Sequence, residues 1–368
     1  MRALLASVVC LLAACASTPS DAARPNLADE IGSLRNAVVA TPAGVAAGEV
    51  VYFARGLSDA DRAAVAAFEP PLRVVEGLTR EEAVARAHEA HGIDAFYASA
   101  EFVAAAPQLT WVQVPSAGVD HYASAAHLVG EPRIVMTNMR AVHGPAIADH
   151  VFAMLLALTR DLPVHLAGRA SGSWNDDGSG VLEPITLAGR TLLVVGLGGI
   201  GSEVAKRAAG FDMRVIATRR SGSGSAPFVE RVAGPEALLE LLPEADVVVV
   251  CVPLTPETDG LFDAAAFAAM KRGAYLVNIA RGRVVDTAAL VDALHTGRIA
   301  GACLDVTEPE PLPADHVLWT FPNVVITPHV AAQSASTLER RSALLVENLR
   351  RFAAGEPLLN VVDKRLSY

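Results

Sequence analysis

Three stretches toward the C-terminal end of the chain carry residue types that move protons and hold anions. Asn278-Ile279-Ala280-Arg281-Gly282-Arg283-Val284-Val285-Asp286 places an arginine just after an apolar run. Leu304-Asp305-Val306-Thr307-Glu308-Pro309-Glu310-Pro311-Leu312-Pro313 places carboxylates in a proline-stiffened loop after the next run. Thr327-Pro328-His329-Val330-Ala331-Ala332 places a histidine after the last one. A guanidinium can chelate a carboxylate and stabilise developing negative charge. Histidine titrates near neutrality, and a neighbouring carboxylate favours its charged form, so a His–acid pair can deliver a proton. Singly, each has an ordinary reading: a solvent-facing Arg281, a loop carboxylate at Glu308 or Glu310, a capping His329. Together they follow successive strands, and an open parallel sheet builds its site beyond the carboxyl ends of its strands.

A second constellation lies upstream. Leu192-Leu193-Val194-Val195 runs into Gly196-Leu197-Gly198-Gly199-Ile200-Gly201, a G-x-G-x-x-G between an apolar run and a helical one. The first glycine permits a tight turn, the second lets the backbone approach a pyrophosphate, and the third allows close helix–strand packing. The next strand ends in Thr218-Arg219-Arg220-Ser221, with Arg219 lying 23 positions after Gly196. An NAD site usually has an acidic residue there for the ribose hydroxyls. Arg219 and Arg220 would instead attract a 2'-phosphate, so the reading is NADP(H) in preference to NAD(H). An ordinary solvated basic turn is the bland alternative.

The elements that must position these groups form two series. β-like runs at Val50 to Phe53, Leu72 to Val75, Ala95 to Tyr97 and Trp111 to Val114 alternate with Ala- and Glu-rich helical stretches such as Ser58 to Phe68 and Arg80 to Glu89. The second series has runs at Leu192 to Val195, Arg214 to Ala217, Val247 to Val252, Tyr275 to Ile279, Gly301 to Leu304 and Val324 to Ile326. Alternation of this kind predicts an α/β fold with parallel sheets covered on both faces. Between the series, Ile147 to Arg160 is too uniformly apolar for a surface helix and too short for a membrane span. It reads as a buried helix linking two domains. Residues 168–184 read as a loop and Ser334 to Ala354 as a closing helix.

The chain has 368 residues, 52% of them hydrophobic, enough for two ordinary cores. A formal net charge of -10 argues against a nucleic-acid partner, which would need clustered Lys and Arg. The first residues read as a targeting segment: Arg2, then an uncharged apolar run from Ala3 to Ala14. Leu12-Ala13-Ala14-Cys15 resembles a bacterial lipoprotein cleavage box, with Cys15 lipidated and first in the mature chain. Residues 1–15 are then a signal peptide and 16–36 a tether, and membrane contact would run only through the lipid, facing the periplasm. The alternative is a start codon placed too early and a cytoplasmic protein. Cys251 and Cys303 lie in apolar runs and read as buried thiols, and without a CxxC pair no zinc site is expected.

These motifs, from roughly Ala37 to Asp363, resemble the D-isomer-specific 2-hydroxyacid dehydrogenases, which include glyoxylate and hydroxypyruvate reductases. The resemblance implies two domains: a Rossmann-type doubly wound sheet over 141–329 and a smaller flavodoxin-like substrate domain from 37–140 and 330–368. It implies hydride transfer to a small 2-keto acid. Arg281 would bind the substrate carboxylate, His329 would be the general acid, and Glu310, which precedes Pro-Leu, would be preferred to Glu308 as its partner. Val252, Pro253 and Thr258 would pass beneath the cofactor riboses, with Ala280 and Asp305 also on the cofactor side. Ala117 and Gly118, in Pro115-Ser116-Ala117-Gly118-Val119-Asp120, would offer backbone N–H groups to the carboxylate. His143 would sit near the interdomain crossing. Family members are commonly dimers, so a homodimer is implied. The rival reading is a non-catalytic, membrane-tethered dinucleotide-binding protein, which would need none of Arg281, Glu310 and His329.

Overall fold

The strand runs are apolar on both sides because each sheet is covered on both faces. In the computed structural model, residues 50–366 are described, apart from 124, 170, 171, 173, 175–182 and 223. The leader with Cys15, the tether at 16–36 and most of the 168–184 loop therefore lie outside the described residues.

The larger sheet contains β6 (Thr191–Val195), β7 (Arg214–Thr218), β8 (Arg231–Ala233), β9 (Val247–Val250), β10 (Ala274–Asn278), β11 (Ile299–Leu304) and β12 (Val324–Ile326), in the order β12-β11-β10-β9-β6-β7-β8. All its pairings are parallel. The order reverses between β6 and β9, which makes the Rossmann switch point. Side chains alternate across the pleat. Leu192 and Val194 join the core under the linking helix Gly144–Thr159, with Val151, Leu155 and Leu158. Leu193 and Val195 join the opposite core with Phe262, Phe267 and Leu290. Fully burying each such side chain contributes about 1.5–3 kcal/mol, so both faces of β6 hold the sheet together.

The smaller sheet contains β1 (Val51–Ala54), β2 (Arg73–Glu76), β3 (Gly92–Asp94), β4 (Trp111–Gln113) and β5 (Val135–Thr137), in the order β2-β1-β3-β4-β5. That is the flavodoxin-like order. The closing helix Ala335–Ala354 returns to this sheet and packs Phe352 on Trp111, the rings tilted by 53° with centroids 4.9 Å apart. Ser334 caps its first turn and Gly355, at φ 70°, ends it in the left-handed region.

One expected strand is corrected. Ala95–Tyr97 forms a 3-10 turn, and the strand is the preceding Gly92–Asp94. Glycine weakens strand propensity, yet here a Cβ would meet Tyr52 at 2.8 Å and Trp111 at 3.0 Å. The strand stops where the Asp94 carboxylate takes up the Tyr52 hydroxyl and the Arg55 amide, each at 2.6 Å. The short strands β5 and β8 carried too little pattern to be read beforehand. Cys251 and Cys303 are free thiols, and burial pushes Cys251 up to about 12 and Cys303 further, so neither is a thiolate nucleophile.

Candidate active site

The carboxyl ends of β10, β11 and β12 supply the polar groups. Past β10, the Asn278 side chain bridges the turn, accepting from the Ala280 amide at 3.0 Å and donating to the Arg281 carbonyl at 3.0 Å. A Cβ on Gly282 would lie 1.9 Å from the Thr307 carbonyl oxygen, so only glycine lets this turn pack against the next loop. Arg281 is thereby aimed across the cleft at the loop following β4. Its Nη2 and Nε donate to Asp120 Oδ1 at 2.9 and 3.2 Å, and Nη1 donates to the Ala280 carbonyl at 2.8 Å. Burial pushes the Asp120 carboxyl up, but hydrogen bonds from Arg281 and its charge outweigh that and hold it below the usual aspartate value.

Past β11 and β12, Glu310 Oε1 lies 2.7 Å from His329 Nδ1. Of the two candidate carboxylates it is Glu310 that reaches the imidazole. Glu308 lies by Thr287, whose hydroxyl donates to its backbone carbonyl. His329 has φ 54°, in the region that side-chain-bearing residues seldom adopt. Its amide donates to the carbonyls of Asp305 and Thr327, at 2.8 and 3.0 Å. The buried Asp305 accepts from the Thr327 hydroxyl and the Val330 amide on Oδ1, and from the Ala331 amide on Oδ2. Asp305 thus braces the histidine loop from beneath.

Gly118 lies against Arg281, since a Cβ there would fall 1.8 Å from Arg281 Nη2, and Ala117 precedes it in the same loop. The Ala117 carbonyl accepts from Asn138 Nδ2 at 2.8 Å and the Gly118 carbonyl from Ser116 Oγ at 2.6 Å. With the carbonyls so fixed, the amides of the loop are oriented as a unit. His143 is buried at the start of the linking helix, and burial and the charge of Arg341 push it down to about 4. It is a neutral packing group rather than an acid–base one.

The glycine turn fits a dinucleotide. Gly196 has φ 101°, and a Cβ there would meet the Cys251 backbone and the Val252 side chain at 2.9 Å. A Cβ on Gly201 would lie 2.4 Å from the Gly196 carbonyl oxygen, which sets how closely helix Gly199–Gly210 approaches β6. Gly198 caps that helix and faces open space, with nothing within 4 Å of a Cβ position. Gly199 abuts Ala141 at 3.1 Å, so the turn also touches the interdomain crossing, while Ile200 packs onto the core. The turn is a cradle shaped for an anionic backbone at a helix N-terminus. Thr258 closes the neighbouring loop, donating to the Pro253 carbonyl at 2.6 Å and accepting from the Thr255 amide at 2.8 Å. Past β7, Arg219 is half-buried with Nε lacking a partner among the described residues, and Arg220 is exposed.

Two site residues went unread in the sequence. Asp120 stood inside the quoted loop without a role, and nothing local marks it as the partner of Arg281. His150 lies on the linking helix, its Nε2 2.9 Å from Thr327 Oγ1. The polar pair Asp149-His150 inside a mostly apolar helix was the available signal.

Comparison with known proteins identifies the family. The family described as D-isomer specific 2-hydroxyacid dehydrogenase, NAD binding domain, matches residues 152–331. Glyoxylate reductase from Pyrococcus furiosus is 40% identical over 240 residues, covering 63% of this chain and 70% of that protein. A D-isomer specific 2-hydroxyacid dehydrogenase from Xanthobacter autotrophicus, solved with NADPH and MES, is 34% identical with a TM-score of 0.70, covering 88% of this chain and 100% of that one. An NADPH-dependent glyoxylate/hydroxypyruvate reductase from Sinorhizobium meliloti, solved with NADP and sulfate, is 27% identical with a TM-score of 0.70, covering 87% and 100%.

These matches correct the membrane-anchored, periplasm-facing lipoprotein expected from the leader. The chain aligns with glyoxylate reductases over most of their length. Among the described residues, no single helix is long and apolar enough to cross a membrane. The apolar run and small residues around Cys15 are a far shorter pattern than the family match at residues 152–331 and the glyoxylate reductase relatives.

Proposed function

The chain belongs to the D-isomer specific 2-hydroxyacid dehydrogenase family of NAD(P)-dependent oxidoreductases, and from that premise we propose that it reduces a small 2-keto acid with NADP(H) preferred over NAD(H). Glyoxylate and hydroxypyruvate are the first candidates, as substrates named for its relatives. The reading is carried by one observation: the Glu310–His329 pair at 2.7 Å, on loops beside the turn that bears Arg281.

The reduced nicotinamide, when bound, supplies the hydride. Gly196, Gly198 and Gly199 would hold the pyrophosphate, with Gly201 and Ile200 seating the helix that faces it, Val252, Pro253 and Thr258 along the riboses, and Ala280 and Asp305 nearer the nicotinamide. Arg219 and Arg220 would take the 2'-phosphate, and the Arg219 Nε, which has no partner among the described residues, favours that assignment. Arg281 and the amides of Ala117 and Gly118 would grip the substrate carboxylate. Glu310 holds His329 by Nδ1, which leaves Nε2 to give its proton to the substrate oxygen as negative charge develops there. Arg281 lowers the energy of that charge.

A homodimer is part of the same reading. Helix Leu162–Gly168 buries none of its residues and exposes Leu162 and Leu166 beside the linking helix. Sedimentation of the full chain tests it, with a dimer expected.

Absorbance at the reduced-nicotinamide band tests the activity. The full chain is offered NADPH and NADH separately with a panel of 2-keto acids. Faster oxidation of NADPH is the expected result. Preference for NADH would retain the reductase and remove the Arg219 argument. No turnover from folded protein that binds dinucleotide would overturn the reading.

A further inference from the structure

The loop that carries His329 is held by more than its own turn. Three consecutive amides point into the protein: His329 to the Asp305 carbonyl, Val330 to Asp305 Oδ1 at 2.9 Å, and Ala331 to Asp305 Oδ2 at 3.0 Å. One aspartate therefore sets the position of three successive residues. Asp305 is itself buried, so its orientation depends on the remaining donor it meets, the Thr327 hydroxyl at 2.7 Å. A hydroxyl has one proton. Once that proton goes to Asp305, the 2.9 Å contact between Thr327 Oγ1 and His150 Nε2 is made by a proton on His150. His150 Nε2 also lies 3.6 Å from Asp305 Oδ1. The sequence of contacts runs from the linking helix to the histidine loop without a gap.

We propose that His150 is a positioning residue for the proton donor. From the middle of helix Gly144–Thr159 it fixes the Thr327 hydroxyl, Thr327 fixes the Asp305 carboxylate, and Asp305 fixes the backbone of His329 to Ala331. His329 needs such a brace because its left-handed backbone is disfavoured for a residue with a Cβ and relaxes once its supports loosen. The linking helix starts at the interdomain crossing, where Gly144 approaches the Gly199 carbonyl at a Cβ distance of 3.2 Å. The brace thereby ties the proton donor to the element that also abuts the dinucleotide turn. This inference rests on the reading of His329 as general acid.

Four variants of the full chain test it. His150→Ala and Thr327→Val remove the donors. His150→Gln restores an N–H near the Nε2 position, and Thr327→Ser restores the hydroxyl. Misplacing a reacting group by well under 1 Å is expected to lower kcat about 10-fold in the first two, with substrate KM and dinucleotide Kd near wild type. The solvent deuterium effect on kcat should grow, because proton delivery becomes more limiting, and the two conservative variants should recover most of the rate. A wild-type kcat in His150→Ala, or His150→Gln as impaired as His150→Ala, would overturn the proposal. So would KM and Kd moving in parallel with kcat. Hydrogen exchange of the 327–333 segment is the second readout and needs no turnover. It should quicken in His150→Ala and not in His150→Gln. If the wild type reduces no keto acid but exchange quickens, the functional reading fails and the brace stands. If the wild type is active and neither kcat nor exchange responds, the brace fails and the functional reading stands.

Discussion

Asp120 and Arg281 meet at 2.9 Å across the cleft, the carboxylate from the loop after β4 and the guanidinium from the turn after β10. Nε and Nη2 both go to one oxygen, Oδ1, and Nη1 turns back to Ala280. A guanidinium has five N–H donors, so among the described residues the outer pair on Nη1 and Nη2 remains as a fork for a carboxylate. Asp120 acts in two opposed ways: it aims the arginine, and its charge repels an arriving anion. Asp120→Ala loses the aim and is expected to raise KM about 10-fold. Asp120→Asn keeps an acceptor while removing the charge, so its KM should stay at or below wild type. Steady-state kinetics on both variants separates the effects, and equal KM values in the two would refute this division.

The proposed roles of His329 as proton donor and Glu310 as its carboxylate are open to substitution. His329→Ala removes the proton source and is expected to lower kcat by about 10² to 10⁴, with little change in KM. Glu310→Gln still accepts from Nδ1 but without charge, so a loss of roughly 10-fold is expected. Glu308→Gln, beyond reach of the imidazole, should stay within about 2-fold of wild type. A larger loss from the Glu308 change than from the Glu310 change would reverse the assignment.

Cofactor preference is tested at the end of β7. Arg219→Ser removes a charge-assisted contact to a 2'-phosphate and should weaken NADPH by roughly 10- to 100-fold while leaving NADH within about 2-fold. Fluorescence titration with each dinucleotide reads this directly. Equal weakening of both would mean that Arg219 supports the turn rather than the phosphate.

How much of this was legible beforehand depended on distance along the chain. The glycine turn was readable because its constraints are local: Gly196, Gly198 and Gly201 do their work within six consecutive residues. The placement of Arg281 and His329 past the ends of β10 and β12 was readable because strand ends point at one face in any parallel sheet. The choice of Glu310 over Glu308 came from the family pattern, since two carboxylates two positions apart cannot be separated by periodicity in a loop. Asp120 and His150 were illegible for another reason. Their partners lie 161 and 177 positions away, and only the folded sheet brings them together. The strand at Gly92 was misread because its glycine answers to Tyr52 and Trp111, contacts that no local propensity records. The leader was over-read, since a short apolar run with small residues has many origins.

Stability against acid follows from His143. Burial and the charge of Arg341 push its folded pKa down to about 4, against an ordinary value near 6.5. Between those limits the unfolded chain binds a proton that the folded chain refuses, so unfolding is favoured as pH falls. The stability is intact above about pH 6.5, declines below it, and levels off near pH 4, with a full loss of roughly 3 kcal/mol. His143→Gln cannot titrate. Urea unfolding at pH 7 and pH 4.5 should therefore show a smaller drop in the variant than in wild type, whatever its absolute stability. An unchanged drop would assign the acid sensitivity to other groups.

Gly198 and Gly201 separate folding from dinucleotide binding within one turn. At Gly201 a Cβ would sit 2.4 Å from the Gly196 carbonyl oxygen, just past β6, and 2.8 Å from Val194 Cγ1 within it. Gly201→Ala must push helix Gly199–Gly210 off the strand, with an expected loss of about 1–3 kcal/mol. At Gly198, φ is -101° and ψ is -157°, extended backbone open to any residue, and a Cβ meets nothing within 4 Å. Gly198→Ala should leave Tm within about 2 °C of wild type. The methyl group would nonetheless project into the space where the pyrophosphate must approach the helix N-terminus, so dinucleotide Kd should rise at least 10-fold. Thermal unfolding and dinucleotide titration on the two variants give opposite signatures: Gly201→Ala loses stability first, and Gly198→Ala loses affinity alone. Full affinity in a stable Gly198→Ala would place the phosphates elsewhere and remove the glycine turn from the site.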